Sequence, residues 1–234
     1  MLLRGGQFLR KLLFFLGVVL LLIIGSFIAA YAHTRTTVRN ARVLLADMQK
    51  MHLDTTQADA DQFIAAHPGT KKISCIDPQR TNCELVLRLD NRWLARLRVS
   101  PPTDLGVAFT CSQGRVVRME ASIGVHRVIP GTFQLIYVAK VTEESSDPHL
   151  DQQAFRSTHK LANNAPGVFI PILVNQRLDE RATPQQRRSA YSSLNLACFY
   201  KLGGCKDAEA LAPSAWTAAD KAGWHDETNS QAAH

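Results

Sequence analysis

Residues Leu12 to Tyr31 form twenty consecutive residues without a charge, LLFFLGVVLLLIIGSFIAAY, directly preceded by Arg10 and Lys11. A helix of that length rises 1.5 Å per residue and covers roughly 30 Å, the hydrocarbon thickness of a bilayer. The block has no polar face, which separates it from a helix in a soluble core. Two readings fit. One is a permanent signal anchor, with residues 1–11 as a cytoplasmic tail and everything after Tyr31 exported. The other is a secretory signal cleaved near Ala32, after the triplet Ala30-Tyr31-Ala32. The apolar stretch exceeds the usual signal core of about 7–15 residues, which favours the anchor. Charge alone does not orient it, because Arg4, Arg10 and Lys11 on one flank face Arg35, Arg39, Arg42 and Lys50 on the other.

After the span the hydrophobic period is helical. Val38, Ala41, Leu45 and Met48 recur three and four apart, so residues 33–54 read as a membrane-proximal helix continuing the first. Thr56 with Asp59 three residues on resembles a capping box opening a helix over 57–66, with Ala60, Phe63 and Ile64 as its buried face. From Cys83 the period becomes two: Leu85, Leu87 and Leu89 alternate with more polar neighbours in a short strand. Trp93 to Leu97 reads as a helical turn or a strand. Leu105, Val107, Phe109 and Cys111 then share a face, and Ser112-Gln113-Gly114 makes a three-residue turn. Val117, Met119, Ala121 and Ile123 run back. After Pro130-Gly131, Phe133 to Val141 gives a third strand, with Phe133, Leu135, Tyr137 and Ala139 on one side.

Residues 143–165 are polar and break the pattern, with Asp147-Pro148 placed to cap a helix through Leu161 or to lead a mobile stretch; long loops of this kind are often functional. Val168 to Val174 reads as a strand, with Pro171 suggesting an edge position. Thr183-Pro184 opens a helix with Tyr191, Leu194 and Cys198 on one stripe and Gly203 to stop it. The fold class is therefore α+β: an N-terminal transmembrane helix, then one domain (55–216) with an antiparallel sheet of four or five strands and flanking helices. Residues 217–234 read as a flexible tail.

Five cysteines bear on the compartment. Cys198 and Cys205 bracket a Gly-Gly turn, and Cys75 and Cys83 bracket the polar loop IDPQRTN. Both pairs are read as disulfides, which persist in oxidising compartments. Cys111 is left over as a free or interchain thiol. Neither cysteine spacer matches a zinc site, and none of the eight histidines lies three to five residues from another. No metal or cofactor is expected.

The formal charge is +7, but Arg4, Arg10 and Lys11 precede the span, leaving 24 basic against 20 acidic residues beyond it. That mixed surface lacks the basic stripe of a nucleic-acid binder. The run RTTVRNAR (35–42) reads as a solvated helix face, or as a contact with anionic headgroups.

The sequence carries no GxSxG, P-loop, HExxH or CxxC signature. Cys111, with Arg115 and His126 within reach, is a candidate nucleophile, though a buried strand-end thiol is the simpler reading. Glu143, Glu144 and Asp147 read as a solvated acidic loop or as paired carboxylates. Trp93, Trp216 and Trp224 read as core packing, at least for the first two, or as a sugar or peptide groove. The leading expectation is a non-enzymatic, envelope-facing module, embedded in the bilayer through 12–31, that binds another envelope protein or a small ligand. The alternatives are an exported enzyme with a dispersed active site and a thiol-active protein using Cys111.

Overall fold

The computed structural model describes residues 4–129, 132–145, 155–160 and 172–221. Pro130-Gly131, Asp147-Pro148, the stretch from Val168 to Pro171, Trp224 and most of the expected tail lie outside them. The first element, α1 (Arg4–Met48), is one helix of 45 residues, about 67 Å long at 1.5 Å per residue. Among the described residues it is the one helix long and apolar enough to cross a membrane. From Leu9 to Ala29 its side chains are exposed, apart from the half-buried Val19. From Ala30 onward one face is buried, through Thr34, Val38, Ala41, Leu44, Leu45 and Met48. At the polar junction the threonine hydroxyls bond within the helix. Thr34, Thr36 and Thr37 donate to the carbonyls of Ala30, Ala32 and His33, four residues back.

Helix α2 (Gln57–Ala66) starts at Thr56, whose side chain accepts from the Asp59 N–H, and it buries Ala60, Phe63 and Ile64 as expected. A seven-stranded sheet follows, ordered β1-β2-β3-β4-β5-β7-β6. Its strands are β1 (Thr70–Cys75), β2 (Cys83–Asp90), β3 (Thr103–Ser112), β4 (Arg115–Ile129), β5 (Thr132–Glu144), β6 (Phe155–Lys160) and β7 (Ile172–Leu178). This exceeds the four or five strands expected. The sheet is also mixed, because β7 pairs with β5 in parallel and with β6 antiparallel. A parallel neighbour cannot be reached by a tight turn. The polar stretch after β5 is the crossover that makes this pairing, and it contains strand β6 where a helix through Leu161 was considered. It also puts β7 inside the sheet rather than at its edge.

The β3–β4 turn is tighter than expected. It holds two residues, Gln113 and Gly114, both with positive φ (52° and 73°), as the preferred two-residue hairpin turn requires. A register shift at Thr110/Cys111 then pairs Cys111 with Val116 and Thr110 with Arg118. Val116 takes the buried place that strict alternation gives to Val117.

One sheet face carries Leu85, Leu87, Val107, Phe109, Met119, Ile123, Ala139 and Val141, and it joins the second half of α1, α2 and the C-terminal helices in a single core. The other face is polar and laced by ion pairs of Arg118 with Glu120 and Glu144, and of Lys140 with Glu120. One dry and one wet face is the usual economy of antiparallel sheets.

Helix α3 (Arg92–Arg96) follows β2. At the C-terminal end, α4 (Pro184–Ser192) begins in a full capping box of Thr183 and Gln186. It stops at Ser192, well before Gly203. The Asn195 side chain accepts from the Ala197 N–H and donates to the Ala210 carbonyl, and the chain resumes as a 3₁₀ turn over Leu196–Phe199. Such a side chain competes with the helical backbone for its partners. Helices α5 (Ala208–Leu211) and α6 (Pro213–Lys221) close the fold, with Ala215 and Ala219 buried. Disulfides join Cys75 to Cys83 and Cys198 to Cys205, and Cys111 is unpaired and buried.

Because Leu44 is fully buried on α1, Leu44→Ala is expected to destabilise the domain by about 2–5 kcal/mol. Denaturation of the full chain in detergent checks this; a loss under about 1 kcal/mol would detach α1 from the core.

Candidate functional site

One concave site lies on the wet face, where β2 runs into α3. A cavity of about 490 Å³ is lined by Arg88, Asp90, Arg92, Arg96, Asp104 and His126, with Asn91 and Thr103 at its base. Asp104 is the hub. Its Oδ2 lies 3.1 Å from Arg88 Nε, and its Oδ1 lies 2.8 Å from His126 Nε2. Arg92 Nε donates to Asp90 Oδ1 at 3.0 Å. Three guanidinium groups against two carboxylates leave the cleft with a basic excess.

Local backbone features aim these side chains. His126 shares the wet face with Gly124 by the alternation of β4, and its N–H donates to the Pro102 carbonyl at 2.8 Å. Beside it Val125 pairs with Tyr137 and His126 with Leu135, which leaves Ile136 of β5 as the extra residue of a bulge. Gly124 leaves room for the pair: a Cβ there would stand 3.0 Å from Asp104 Oδ1 and 2.8 Å from Leu135 Cδ1. Asn91 fixes the floor. Its amide donates to the carbonyls of Pro101 and Phe199 and to Ser100 Oγ, while its carbonyl oxygen accepts from the Thr103 N–H.

A second polar cluster sits under the end of α1. Glu143, 3% exposed, accepts at Oε1 from Arg187 Nε (3.0 Å) and from the Tyr191 hydroxyl (2.8 Å). Arg187 also donates to His52 Nδ1 at 2.8 Å and to the Met51 carbonyl. A cavity of about 540 Å³ opens beside it, lined in part by His52, Glu143, Asp179 and Arg187. Burial raises the Glu143 carboxyl above its ordinary value, outweighing the opposing pull of Arg187 and the Tyr191 hydrogen bond. The Tyr191 phenol is also pushed well above its ordinary value, first by burial and then by the Glu143 charge. We read this cluster as a clamp that ties the segment following α1 to α4 and β5.

Several expectations are corrected here. Glu143 is not in a solvated loop; it is the buried end of β5, and Glu144 pairs with Arg118 Nε at 3.1 Å. Asp147 lies outside the described residues. Cys111 is not approached by His126: it stands opposite Val116, ten residues before His126 on β4, roughly 33 Å of extended strand. Arg115 instead donates to the Asp54 carbonyl. Burial, and then the charge of Asp61, push the Cys111 thiol up to about 11, the direction opposite to an activated thiolate. Trp216 packs against the core, but Trp93 is 45% exposed, contrary to the core role expected for it. Among the described residues no cluster of three or more His, Cys, Asp or Glu side chains is placed to hold a metal ion.

Sequence reasoning missed the Asp104–His126 pair. The signal available was the isolated Gly124 inside a strand pattern, which suggests a bulge or a close approach.

Two predictions follow from these geometries. Removing Arg187 leaves the Glu143 charge buried without its partner, so Arg187→Met should cost about 3–5 kcal/mol near pH 7. A carboxyl whose folded pKa is raised binds more protons folded than unfolded just above its ordinary value, so its contribution to stability falls as pH rises there. The Arg187→Met penalty relative to wild type should therefore shrink at pH 4, below the ordinary carboxyl value, where the raised Glu143 carboxyl is already protonated; an equal penalty at both pH values would refute the assignment. In the cleft, Gly124→Ala should cost about 1–3 kcal/mol by crowding Asp104 and Leu135, read by thermal unfolding.

In comparisons with protein families, characterised proteins and solved structures, nothing matches this chain. The chemistry of the cleft is read from its own geometry.

Proposed function

We propose that the chain is a membrane-anchored, envelope-facing binding module whose cleft at Arg88, Asp104 and His126 takes a small anionic ligand. The observation that carries the reading is helix α1, which continues from an exposed apolar span into the core of the domain without a linker. In this reading residues 1–11 remain in the cytoplasm and the domain lies outside, where the pairs Cys75–Cys83 and Cys198–Cys205 persist as disulfides. Cleavage near Ala32 would release the same domain in secreted form.

The cleft has the size of a small-molecule site. Its arginines suit carboxylate or phosphate groups, which guanidinium binds through paired N–H donors. Asp104 orients both Arg88 and His126, so the donors are arranged before a ligand arrives. A second reading, a protein partner, is favoured by the sheet edge at β1, whose residues Thr70–Ser74 are all exposed and which is followed by Ile76 at 94% exposure. An extended segment of another chain would pair there, although Lys71 and Lys72 guard the edge.

A C-terminal reporter that is active only outside the cytoplasm tests the topology. It is expected to be active, and a cytosolic reporter would overturn the reading. Titrating inorganic phosphate into the detergent-solubilised full chain tests the cleft through the His126 ring NMR signals. Arg88→Ala is expected to weaken that binding about tenfold, or ~1.4 kcal/mol; unchanged affinity would leave the β1 edge as the better site.

A further inference from the structure

Three of the domain's exposed apolar side chains fall beside α1. Trp93 and Leu97 of the α3 segment are 45% and 43% exposed, and Leu202 of the Cys198–Cys205 loop is 67% exposed. Both segments flank α1 at one level. A cavity of about 510 Å³ lies between Trp93, Arg96 and Leu97 on one side and Ser26, Ala29 and His33 of α1 on the other. The His33 and Trp93 rings meet edge-on at 6.1 Å. The Arg35 guanidinium lies over the rings of both Tyr31 and Tyr200, and the Gly203 N–H donates to the Val99 carbonyl, which brings Leu202 beside α3.

Ser26 lies five residues inside the uncharged span that ends at Tyr31, about 7.5 Å along the helix. The domain therefore does not stand off from the end of the apolar span; its α3 edge reaches down alongside the last turns. What surrounds that edge has the composition of a membrane interface: Trp and Tyr rings, leucines, and basic groups able to snorkel toward headgroups. Arg92, Arg96, Arg98 and Lys201 are exposed around Trp93 and Leu202, and the Arg96 guanidinium sits 5.2 Å from the centre of the Trp93 ring. Segments 91–100 and 199–204 contain no acidic residue, and neither does α1 between Tyr31 and Arg42.

We infer that α3 and the Leu202 loop are seated in the headgroup layer of the bilayer that α1 spans, with Trp93, Leu97 and Leu202 below the phosphates and the surrounding arginines and lysine at them. The occupant of this apolar surface is lipid. Continuity with the exposed face of α1 and the basic excess around the patch, where Asp90 pairs with Arg92, favour a bilayer over a protein partner. The seating fixes the domain's tilt as well as its distance from the membrane, because two segments on opposite elements hold it beside α1. The inference rests on the reading of α1 as a membrane span.

The test uses the full chain in vesicles of phosphatidylcholine with phosphatidylglycerol, carrying Trp216→Phe and Trp224→Phe so that Trp93 is the sole tryptophan. Flotation with the vesicles reports α1 insertion independently of the patch. Lipids brominated at the upper part of the acyl chain are expected to quench Trp93 emission at least about twofold, with aqueous iodide having little effect. Adding Leu97→Glu and Leu202→Glu should reverse that order of quenching while flotation persists. Flotation with a Trp93 that iodide quenches and bromolipid does not would overturn the seating alone. Absence of flotation would overturn the membrane span and the seating together.

Discussion

The backbone hydrogen bonding of α1 runs unbroken from residues exposed on all sides to residues buried in the domain core, and the rest of the structure is arranged around that continuity. An apolar helix long enough to cross a bilayer satisfies its peptide groups internally, and this one keeps doing so past the end of its apolar stretch. The threonines at the junction return their hydroxyls to carbonyls four residues back instead of competing for the helix. Beyond them the same helix offers Val38, Ala41, Leu44, Leu45 and Met48 to the sheet. Any rotation or tilt of the span is therefore transmitted to the core with no flexible segment between.

Contacts beyond the helix reinforce that union. Where α1 ends, the carbonyl of Met51 and the ring of His52 are held by Arg187, itself paired with Glu143 at the end of β5. Taking two charges out of water is costly, and the arrangement is stable only because hydrogen bonds from Arg187 and Tyr191 meet the carboxylate. On the opposite flank, His67 of the α2 cap contacts the Phe63 carbonyl and Asp47 of α1. Polar groups fix the angle of the helix, and apolar packing supplies the bulk of the attachment.

The cleft on the wet face follows from register and one small residue. Alternation along β4 puts the His126 imidazole on the face of Asp104, and Gly124 between them lets the carboxylate and ring approach. The floor is held by Asn91, which also bonds the Phe199 carbonyl of the C-terminal segment. Through Asn91 the cleft and the segment bearing the Cys198–Cys205 loop share a support, and Gly204 packs so closely on Pro101 that a Cβ would lie 2.4 Å from its ring. The cleft, α3 and the Leu202 loop thus form one connected end of the domain.

Much of this was legible in the chain. Period and capping determined α1, α2, β2 and the β3–β4 hairpin, because those signals lie within a few residues of one another. Loop length and turn residues indicated both disulfides, and the stripe Val38–Met48 named its own buried face. What the sequence left undecided depends on partners distant in the chain. The parallel pairing of β5 with β7 needs the whole crossover, so neither the strand number nor the interior place of β7 was visible. A one-residue shift swapped Val117 for Val116, and nothing local marks it. Glu143 reads as solvent-exposed until Arg187 and Tyr191, more than forty residues away, fold over it. Short-range periodicity reports which way a side chain faces relative to its own element. Burial, charge pairing and the assembly of a site depend on what another element brings to that face, and only the tertiary structure decides that.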